Sequence, residues 1–345
     1  MPPSSPSLET TLTQAWLRRG VLACALWPAS LLFGALTALR KAMFRAGLLK
    51  STRVPVPVVV VGNVFIGGTG KTPLTIWLAG VLRAAGFTPG VISRGHGASG
   101  GTPRQVTAQS NALDVGDEPL LIARRSGCPV VVGRDRASAA QTLLLAHPQV
   151  DILISDDGLQ HYALQRDVEI VLFDGRGAGN GWLLPAGPLR ELASRRRDFT
   201  GVNAPELTLA LCAAVKGRPF RMQLAGAMAE PLQRPGQGVA LASLAGKRIV
   251  AAAGIGNPGR FFAMLRAAGL TITELALPDH HDFQDQPFAQ VDADIILITE
   301  KDAVKCGQIE HLKDDPRLWV VPVTAQIDAA LAEQIVEKCR GRKTA

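Results

Sequence analysis

Residues 58–72 read VVVVGNVFIGGTGKT, and this stretch decides the fold of the chain. An apolar, β-branched run leads into a glycine-rich turn that ends in Gly-Lys-Thr. In such a turn the glycines let backbone N–H groups surround a polyphosphate, Lys71 reaches the outer oxygens, and the Thr72 hydroxyl can hold Mg²⁺. Phe65 replaces the first glycine of the strict pattern, so a glycine-rich turn with an incidental lysine is the alternative.

The residues after this turn support the phosphate-loop interpretation. Apolar side chains follow at helical spacing from Leu74 to Leu82, Pro73 is tolerated in a first helical turn, and Gly86 is a plausible stop. A strand, a loop and a helix in this order place the positive end of the helix dipole at a bound phosphate. We therefore predict that a nucleotide is bound by Phe65, Ile66, Gly67, Gly68, Thr69, Gly70, Lys71 and Thr72.

Composition and charge limit the possible functions. The chain has 345 residues, 47% hydrophobic and 19% charged, which is typical of a folded protein with a substantial core. Its five scattered cysteines indicate reduced, cytosolic thiols. Of the formal charge of +8, +6 falls within residues 1–53, so the body carries no basic surface for nucleic acid, and the single tyrosine argues against base stacking.

The basic N-terminal segment, residues 1–53, contains an uncharged stretch at 20–39. At ~1.5 Å per residue, this stretch is just long enough to cross a ~30 Å hydrocarbon core. Four interpretations remain open: a cleaved signal peptide, a spanning helix, a helix lying at the membrane surface, and a core helix of a soluble domain. Basic flanks and moderate hydrophobicity favour the surface helix. Both membrane interpretations keep the body on the cytoplasmic side.

Strand and helix patterns alternate after residue 54, which predicts an α/β fold with a parallel sheet flanked by helices. We expect strands at 56–62, 89–93, 129–132, 151–155 and 168–173, and a long loop at 174–190. A second β/α unit begins near 248, and its Gly254-x-Gly256 turn favours a tight strand-to-helix connection over a second nucleotide site. The predicted organisation is therefore a phosphate-loop core at 54–205, a linker or β element at 206–246, and a smaller C-terminal α/β domain at 247–345.

Several acidic residues are candidates for chemistry. Asp156 and Asp157 end an apolar strand, where phosphate-loop enzymes hold Mg²⁺ or orient a nucleophile, although they are also typical of a turn. The strand that ends at Asp174 is a rival for the same role. Asp117 precedes an apolar run and is, from the residues alone, more typical of a helix N-cap.

Histidines and arginines leave further alternatives open. His280 and His281 are adjacent and point poorly at one metal ion, so a single histidine paired with a carboxylate as proton acceptor is the simpler interpretation. The run Arg195, Arg196 and Arg197 is typical of a solvated charged surface, but in a membrane-bound enzyme it would suit contact with lipid phosphate.

Together these motifs resemble those of the tetraacyldisaccharide 4′-kinase family of lipid A biosynthesis. Each motif alone is modest, but seven occur in the family's order over nearly the whole chain, at 62–73, 93–95, 116–119, 156–161, 184–191, 278–280 and 299–305. The chain departs from the family pattern at His96, Leu159 and His281, and none of these changes removes a carboxylate or the lysine.

The resemblance implies transfer of the γ-phosphate of ATP to the 4′-hydroxyl of a tetraacyldisaccharide 1-phosphate, in a cleft between two domains. It implies that Asp117 is the base, assisted by His280, and that Lys71 and Asp156 act in catalysis. Thr72, Asp157 and Glu191 would hold Mg²⁺.

The resemblance also implies a lipid-linked disaccharide substrate and peripheral attachment to the cytoplasmic face of the inner membrane, with no obligate protein partner. The rival hypothesis is a membrane-associated regulatory ATPase that uses its nucleotide as a switch, because the loop is common to both classes.

Overall fold

The structure of the protein is a computed structural model that describes residues 13–95 and 102–341. It contains two compact units, each assembled from segments that are distant in sequence. The first unit comprises Met1–Lys71, Asp151–Gln223 and Ile327–Ala345, and the second comprises Thr72–Val150 and Leu224–Gln326. The predicted domains at 54–205, 206–246 and 247–345 are contiguous instead, and their boundaries stay a prediction. The first twelve residues and His96 lie outside the described residues.

The helices and strands alternate along most of the chain, as predicted. The strands are β1 (Val58–Gly62), β2 (Pro89–Ser93), β3 (Arg104–Val106), β4 (Val130–Val132), β5 (Ile152–Asp156), β6 (Val168–Asp174), β7 (Phe199–Asn203), β8 (Phe220–Ala225), β9 (Met228–Pro231), β10 (Val239–Ala240), β11 (Ile249–Ala253), β12 (Ile272–Ala276), β13 (Ile295–Thr299), β14 (Leu318–Val321) and β15 (Thr324–Ile327). The helices are α1 (Val21–Arg45), α2 (Lys71–Ala84), α3 (Ala112–Val115), α4 (Asp117–Ser126), α5 (Arg136–Ala146), α6 (Leu209–Val215), α7 (Pro258–Ala267), α8 (Glu300–Cys306), α9 (Glu310–Lys313) and α10 (Ala329–Arg340).

The first unit is built on parallel strands in the order β8-β7-β6-β1-β5. All side chains of the central strand β1 are buried, which explains its unbroken run of valines. Val61 pairs with Asp156 on one side and with Ile170 on the other. Because parallel strands end at the same edge of a sheet, the phosphate loop, Asp156 and the ends of β6 and β7 meet at one edge.

The second unit contains two groups of strands. β2 pairs in parallel with β4, which pairs in antiparallel fashion with β3. The other group has the order β10-β9-β14-β13-β11-β12, with β14, β13, β11 and β12 parallel. Two apolar clusters cover its faces, one centred on Phe262 and Leu265, the other on Phe283 and Phe288. The predicted second β/α unit is present, and the turn after β11 leads into α7.

The N-terminal helix α1 is longer than the uncharged stretch, because it continues through Arg40 and Lys41 to Arg45. It is long and apolar enough to cross a membrane, and only 11% of its most apolar window is buried. One narrow face lies on the first unit: Ser30 Oγ donates to the carbonyl of Leu183 at 2.5 Å, and Trp27 packs on Trp182. The opposite face exposes apolar side chains, namely Val21, Leu31, Leu32, Leu36 and Leu39.

Candidate active site

The backbone of the glycine-rich loop is held by two asparagine side chains. Asn63 Nδ2 donates to the carbonyl of Gly67 at 2.9 Å, and Asn203 Nδ2 donates to the carbonyl of Thr69 at 2.9 Å. Gly70 has φ +98°, and a Cβ there would lie 2.5 Å from Asn203 Nδ2, so no other residue fits. A loop whose carbonyl groups are held in this way can turn its N–H groups towards an anion.

Lys71 lies at the first position of α2 and is directed at the end of β5. Its ammonium donates to Asn63 Oδ1 at 3.2 Å and lies 3.7 Å from Asp157 Oδ1. Asp157 in turn lies 3.5 Å from Arg190. Asp157 has φ +50°, a left-handed conformation that costs a non-glycine residue free energy and is concentrated at functional sites. Two cations therefore flank one of the predicted acidic residues.

The structure distinguishes the two acidic strand ends that the sequence left as rivals. Asp156 is 1% exposed at the end of β5, beside Asp157. Asp174 is equally buried at the end of β6, but Arg176 grips both of its oxygens, with Nε at 3.0 and 3.1 Å. The same guanidinium stacks 4.2 Å from the centre of the Phe65 ring and reaches the carbonyl of Gly68. Asp174 therefore anchors Arg176 at the loop.

Glu191, a predicted magnesium ligand, lies in a network of protein donors. Its Oε1 accepts from Gln160 at 3.0 Å and from Arg195 at 2.7 Å, and its Oε2 accepts from the hydroxyl of Tyr162 at 2.7 Å. Lys41 of α1 lies 3.6 Å from Oε2. Burial and the neighbouring carboxylate of Glu191 raise the pKa of Tyr162, so this hydroxyl stays a donor. The role of Glu191 as a ligand stays a prediction.

In the second unit, Asp117 begins α4 and is paired with His280, which is 163 residues away. Asp117 Oδ2 lies 3.1 Å from His280 Nδ1, and Oδ1 accepts from the N–H of Glu118 at 2.9 Å. The side chain of Asp117 is only 5% exposed. The N-cap residue of α4 is Gly116, so the N-cap prediction for Asp117 is wrong: Asp117 is the first residue of the helix, and its carboxylate forms the carboxylate–histidine pair.

Two lysines on one face of α8 bracket this pair. Lys305 Nζ lies 3.4 Å from Asp117 Oδ2, and Lys301 Nζ lies 3.1 Å from Glu118 and 3.3 Å from His280 Nε2. Burial acts to raise the pKa of Asp117, but the hydrogen bond to His280 and the charges of Lys301, His280 and Lys305 outweigh it and lower that pKa far below its usual range. Asp117 is consequently ionised near neutral pH.

The same contacts determine how His280 is protonated. Its hydrogen bond to Asp117 raises the pKa of His280 above 6.5, against the opposing effects of burial and Lys301. Burial lowers the pKa of Lys301, but the carboxylates of Glu118, Asp117 and Asp279 more than offset this, so Lys301 remains an ammonium donor. In its neutral form, His280 accepts from Lys301 at Nε2 and donates from Nδ1 to Asp117, the tautomer that we assign from these partners.

The adjacent His281 has different partners. Its Nε2 lies 3.2 Å from Asp285, and its Nδ1 accepts from the N–H of Phe283. His281 groups with the exposed Asp282 and Asp285, while His280 adopts φ +59° and faces Asp117. The two adjacent histidines therefore face different carboxylates, and only His280 is paired with a buried one.

Sequence reasoning missed several residues that the structure brings to these clusters. Asn203 and Arg176 hold the phosphate loop, and Lys305 holds Asp117. Two signals were available: Asn203 is a polar residue at the end of an apolar strand, and Lys301 and Lys305 are four residues apart, on one face of a helix. Neither signal identifies the partner, because strand order and helix packing decide it.

The comparisons with known proteins identify the family of the chain. The family model described as tetraacyldisaccharide-1-P 4′-kinase matches residues 22–340. Two relatives named tetraacyldisaccharide 4′-kinase are 65% identical over 348 residues, from Janthinobacterium sp. (strain Marseille), and 61% identical over 353 residues, from Herminiimonas arsenicoxydans, each covering 98% of both chains.

A solved structure is also similar over most of its length. The crystal structure of LpxK from Aquifex aeolicus in complex with ATP is 27% identical, with a TM-score of 0.74 over 92% of this chain and 99% of that one. The predicted phosphate-loop α/β fold is therefore confirmed. By sequence and by fold, this chain belongs to the tetraacyldisaccharide-1-phosphate 4′-kinase family.

Proposed function

We propose that this protein transfers the γ-phosphate of ATP to the 4′-hydroxyl of a tetraacyldisaccharide 1-phosphate in lipid A biosynthesis. The family assignment supports the reaction. The observation that carries the proposal is the buried pair of Asp117 and His280 in a chain that also has a phosphate loop. A nucleotide switch needs the loop alone, whereas a kinase must also position and deprotonate an alcohol.

The pair provides a place for the proton of the attacking hydroxyl. Asp117 alone is a weak proton acceptor, because its pKa lies far below the usual range. His280 is the more basic partner, since its pKa is raised. We infer that Asp117 orients the hydroxyl and receives its proton, while the Nδ1–H of His280 stays hydrogen-bonded to that carboxyl group and holds it in place. The pair thus changes from one negative charge to none, and it titrates as a unit.

Positioning and charge neutralisation carry most of the catalysis in phosphoryl transfer. We assign Lys71 to the outer phosphate oxygens, and Arg176 to the same charge because its guanidinium already lies against Gly68 and Phe65. The buried hydroxyl of Thr69 has no hydrogen-bond partner within the described residues, as expected of a donor that awaits a ligand.

The acidic residues at this edge suit a hard cation. Asp156, Asp157 and the Thr72 hydroxyl offer the oxygen donors that Mg²⁺ prefers, and Glu191 joins them if its present donors are exchanged. Bound there with ATP, Mg²⁺ would neutralise phosphate charge. Lys71 and Arg190 place two positive charges within 3.7 Å of Asp157, which offsets the repulsion between these two adjacent carboxylates.

The helix α1 suits a position at the membrane surface. The middle of the helix is attached to the rest of the first unit by the hydrogen bond from Ser30 to Leu183. Its last turns are attached by the ion pair of Lys41 with Glu191. A helix held along its length in this way lies on its unit instead of leaving it, so a perpendicular crossing would carry the polar network of Glu191 towards the bilayer. We infer that the exposed leucines of α1 enter the cytoplasmic leaflet of the inner membrane, where the acyl chains of the substrate reside.

The proposal is tested by following ADP formation from ATP with and without the lipid disaccharide. We expect turnover only when the acceptor is present, with phosphate appearing on its 4′ position. Asp117→Asn should remove transfer while ATP still binds. ATP turnover that ignores the acceptor would refute the proposal and favour the regulatory ATPase.

A further inference from the structure

The first unit contains a cavity of about 530 Å³ that the catalytic assignment does not use. Six basic side chains line it: Lys41, Arg45, Arg166, Arg195, Arg196 and Arg197. Three acidic residues, Asp167, Glu169 and Asp198, also contribute, so its lining carries a net charge of +3. We call it the basic cavity. Its volume is within the range of about 300–1,000 Å³ that is usual for small-ligand sites.

The three acidic residues of the basic cavity already accept hydrogen bonds from other groups of the protein. Both carboxylate oxygens of Glu169 accept a hydrogen bond from Arg195 at 2.7 Å, and Oε1 accepts another from Arg166 at 3.0 Å. Asp198 is paired with Lys338, and Asp167 accepts from the backbone N–H of Val58 at 2.9 Å. These carboxylates therefore oppose an incoming anion less than their number suggests.

Two of the basic side chains that line the cavity have no ion pair among the described residues. Arg45 and Arg196 are exposed, and neither side chain has a hydrogen bond or ion pair to any residue within 13–95 or 102–341. Their neighbours differ, because Arg195 is 4% exposed and bonded to two glutamates, and Arg197 donates to backbone carbonyls. Within the run at 195–197, Arg195 and Arg197 are thus fixed by contacts with the protein. Only Arg196 is the solvated charge that the sequence predicts for the run.

The basic cavity lies at the strand ends opposite the phosphate loop, and its lining residues Lys41, Tyr162 and Arg195 reach the predicted magnesium ligand Glu191. Asp167 and Asp198 immediately precede β6 and β7, so the cavity is at the amino ends of the strands, whereas the phosphate loop follows the carboxyl end of β1. A five-residue strand at ~3.3 Å per residue separates these edges by more than ~10 Å. A phosphate held by Arg45 and Arg196 is therefore distinct from the phosphates of the nucleotide.

The basic cavity is also at the C-terminal end of α1. Lys41, Phe44 and Arg45 are in the last turns of α1, and the exposed Leu36 and Leu39 precede them on the same helix. Leu48, which is 73% exposed, follows directly after the helix. If these leucines enter the acyl layer, the cavity lies at the depth of the phosphate groups of the surrounding lipids.

We propose that the basic cavity binds the phosphate of an anionic glycerophospholipid headgroup through Arg45 and Arg196. This inference rests on the proposed position of α1 at the membrane surface. The apolar face of α1 supplies insertion, and the cavity supplies a preference for anionic lipid and a fixed orientation on the bilayer. Guanidinium groups are suited to this role because their planar donors match phosphate oxygens.

The test compares two double variants of the full chain. Arg45→Gln/Arg196→Gln removes the two unpaired cations, and Lys216→Gln/Arg218→Gln removes two exposed charges of the same unit outside the cavity. Binding is measured by co-sedimentation with vesicles of phosphatidylcholine, with and without phosphatidylglycerol. We expect the first variant to bind the mixed vesicles about 30-fold more weakly, as expected from ~1 kcal/mol for each cation near an anionic surface. The second variant should bind much as the unaltered chain does.

Three outcomes would overturn the proposal. The first is an equal loss of vesicle binding in both double variants, and the second is no loss in Arg45→Gln/Arg196→Gln. The third is release of the protein from vesicles by inorganic phosphate at a lower ionic strength than sodium chloride requires. The first two would show diffuse attraction or none, and the third a site for soluble phosphate. Phosphotransfer in neutral detergent micelles separates this proposal from the proposed function, because Arg45→Gln/Arg196→Gln should keep full activity there. Absence of transfer in every form of the protein would refute the kinase assignment without altering the vesicle result.

Discussion

The replacement Asp117→Asn tests the carboxylate–histidine pair most directly, since it removes one charge and preserves shape. A positioned general base contributes about 10²–10⁴-fold to rate, so we expect kcat for phosphate transfer to fall by about that factor. The KM for ATP should change little, because the nucleotide contacts are assigned to residues of the phosphate loop. Measurement of initial rates against both substrates distinguishes these effects.

The distances also give the expected loss of stability. Opposite unit charges 3.4 Å apart, as for Lys305 and Asp117, attract by about 5 kcal/mol at an effective dielectric constant of about 20. Desolvation offsets much of this, and a hydrogen bond to a charged group contributes a net ~1.5–3 kcal/mol. Because asparagine keeps one acceptor oxygen for the contacts of Asp117, we expect Asp117→Asn to lower the free energy of unfolding by about 2–4 kcal/mol.

This loss should depend on pH in one direction. The pKa of His280 is raised above 6.5 in the folded protein by its hydrogen bond to Asp117. The stabilisation from that bond is therefore complete below the unfolded-state pKa and is lost as the pH rises through the folded-state pKa. Asp117→Asn should consequently destabilise the protein more at about pH 5 than at about pH 9.

An NMR titration of the His280 ring provides the readout that a purely structural role would not change. We expect the pKa of His280 to fall in Asp117→Asn. The matched control is Asp279→Asn, whose more exposed carboxylate lies 3.9 Å from Nε2 and should matter less. An unchanged His280 titration, or a kcat within a few-fold of the unaltered enzyme, would show that Asp117 serves only the start of α4.

Three further replacements test the other assignments. Lys71→Ala should lower acceptor-dependent ADP formation by at least ~10²-fold, and retained activity would refute the phosphate-loop assignment. Lys305→Met should raise the pKa of Asp117 towards its ordinary value of 3.8 and lower the free energy of unfolding by about 1–3 kcal/mol in denaturant titrations; a variant as stable as the parent would mean that the buried contact is not an ion pair. Glu191→Gln should raise the Mg²⁺ concentration needed for half-maximal activity by about 10-fold or more, and an unaltered Mg²⁺ requirement would remove Glu191 from the predicted ligands.

Most elements of the fold were predictable because their signals are local. The valines of β1 and the glycines after them predict a buried strand and a phosphate loop, and the structure has a strand at Val58–Gly62 and a helix from Lys71. The strands predicted at 89–93, 151–155 and 168–173 also occur, within a residue or two at their ends. That each compact unit is assembled from segments distant in sequence was not predictable, since composition does not record which strands become neighbours.

The candidate site was predictable in its residues and not in its pairings. Asp117, His280, Asp156 and Asp157 were each identifiable as polar residues beside apolar elements, and the order of motifs indicated the family. The tertiary structure alone decided that Arg176, which pairs with the nearby Asp174, also reaches Gly68, 108 residues away, so that this acidic strand end holds the loop through its arginine.

The sequence by itself determined the phosphate loop, the α/β alternation and the apolar, basic N-terminal helix. Each of these depends on residues within one or two helical turns or one strand of each other, where covalent connection fixes proximity. The tertiary structure alone decided that Asp117 contacts His280, 163 residues away. It also decided that Arg45 and Arg196 line one cavity, while the neighbouring Arg195 is buried against two glutamates. Such contacts arise from strand order and packing, which bring together groups whose separation in sequence carries no distance information.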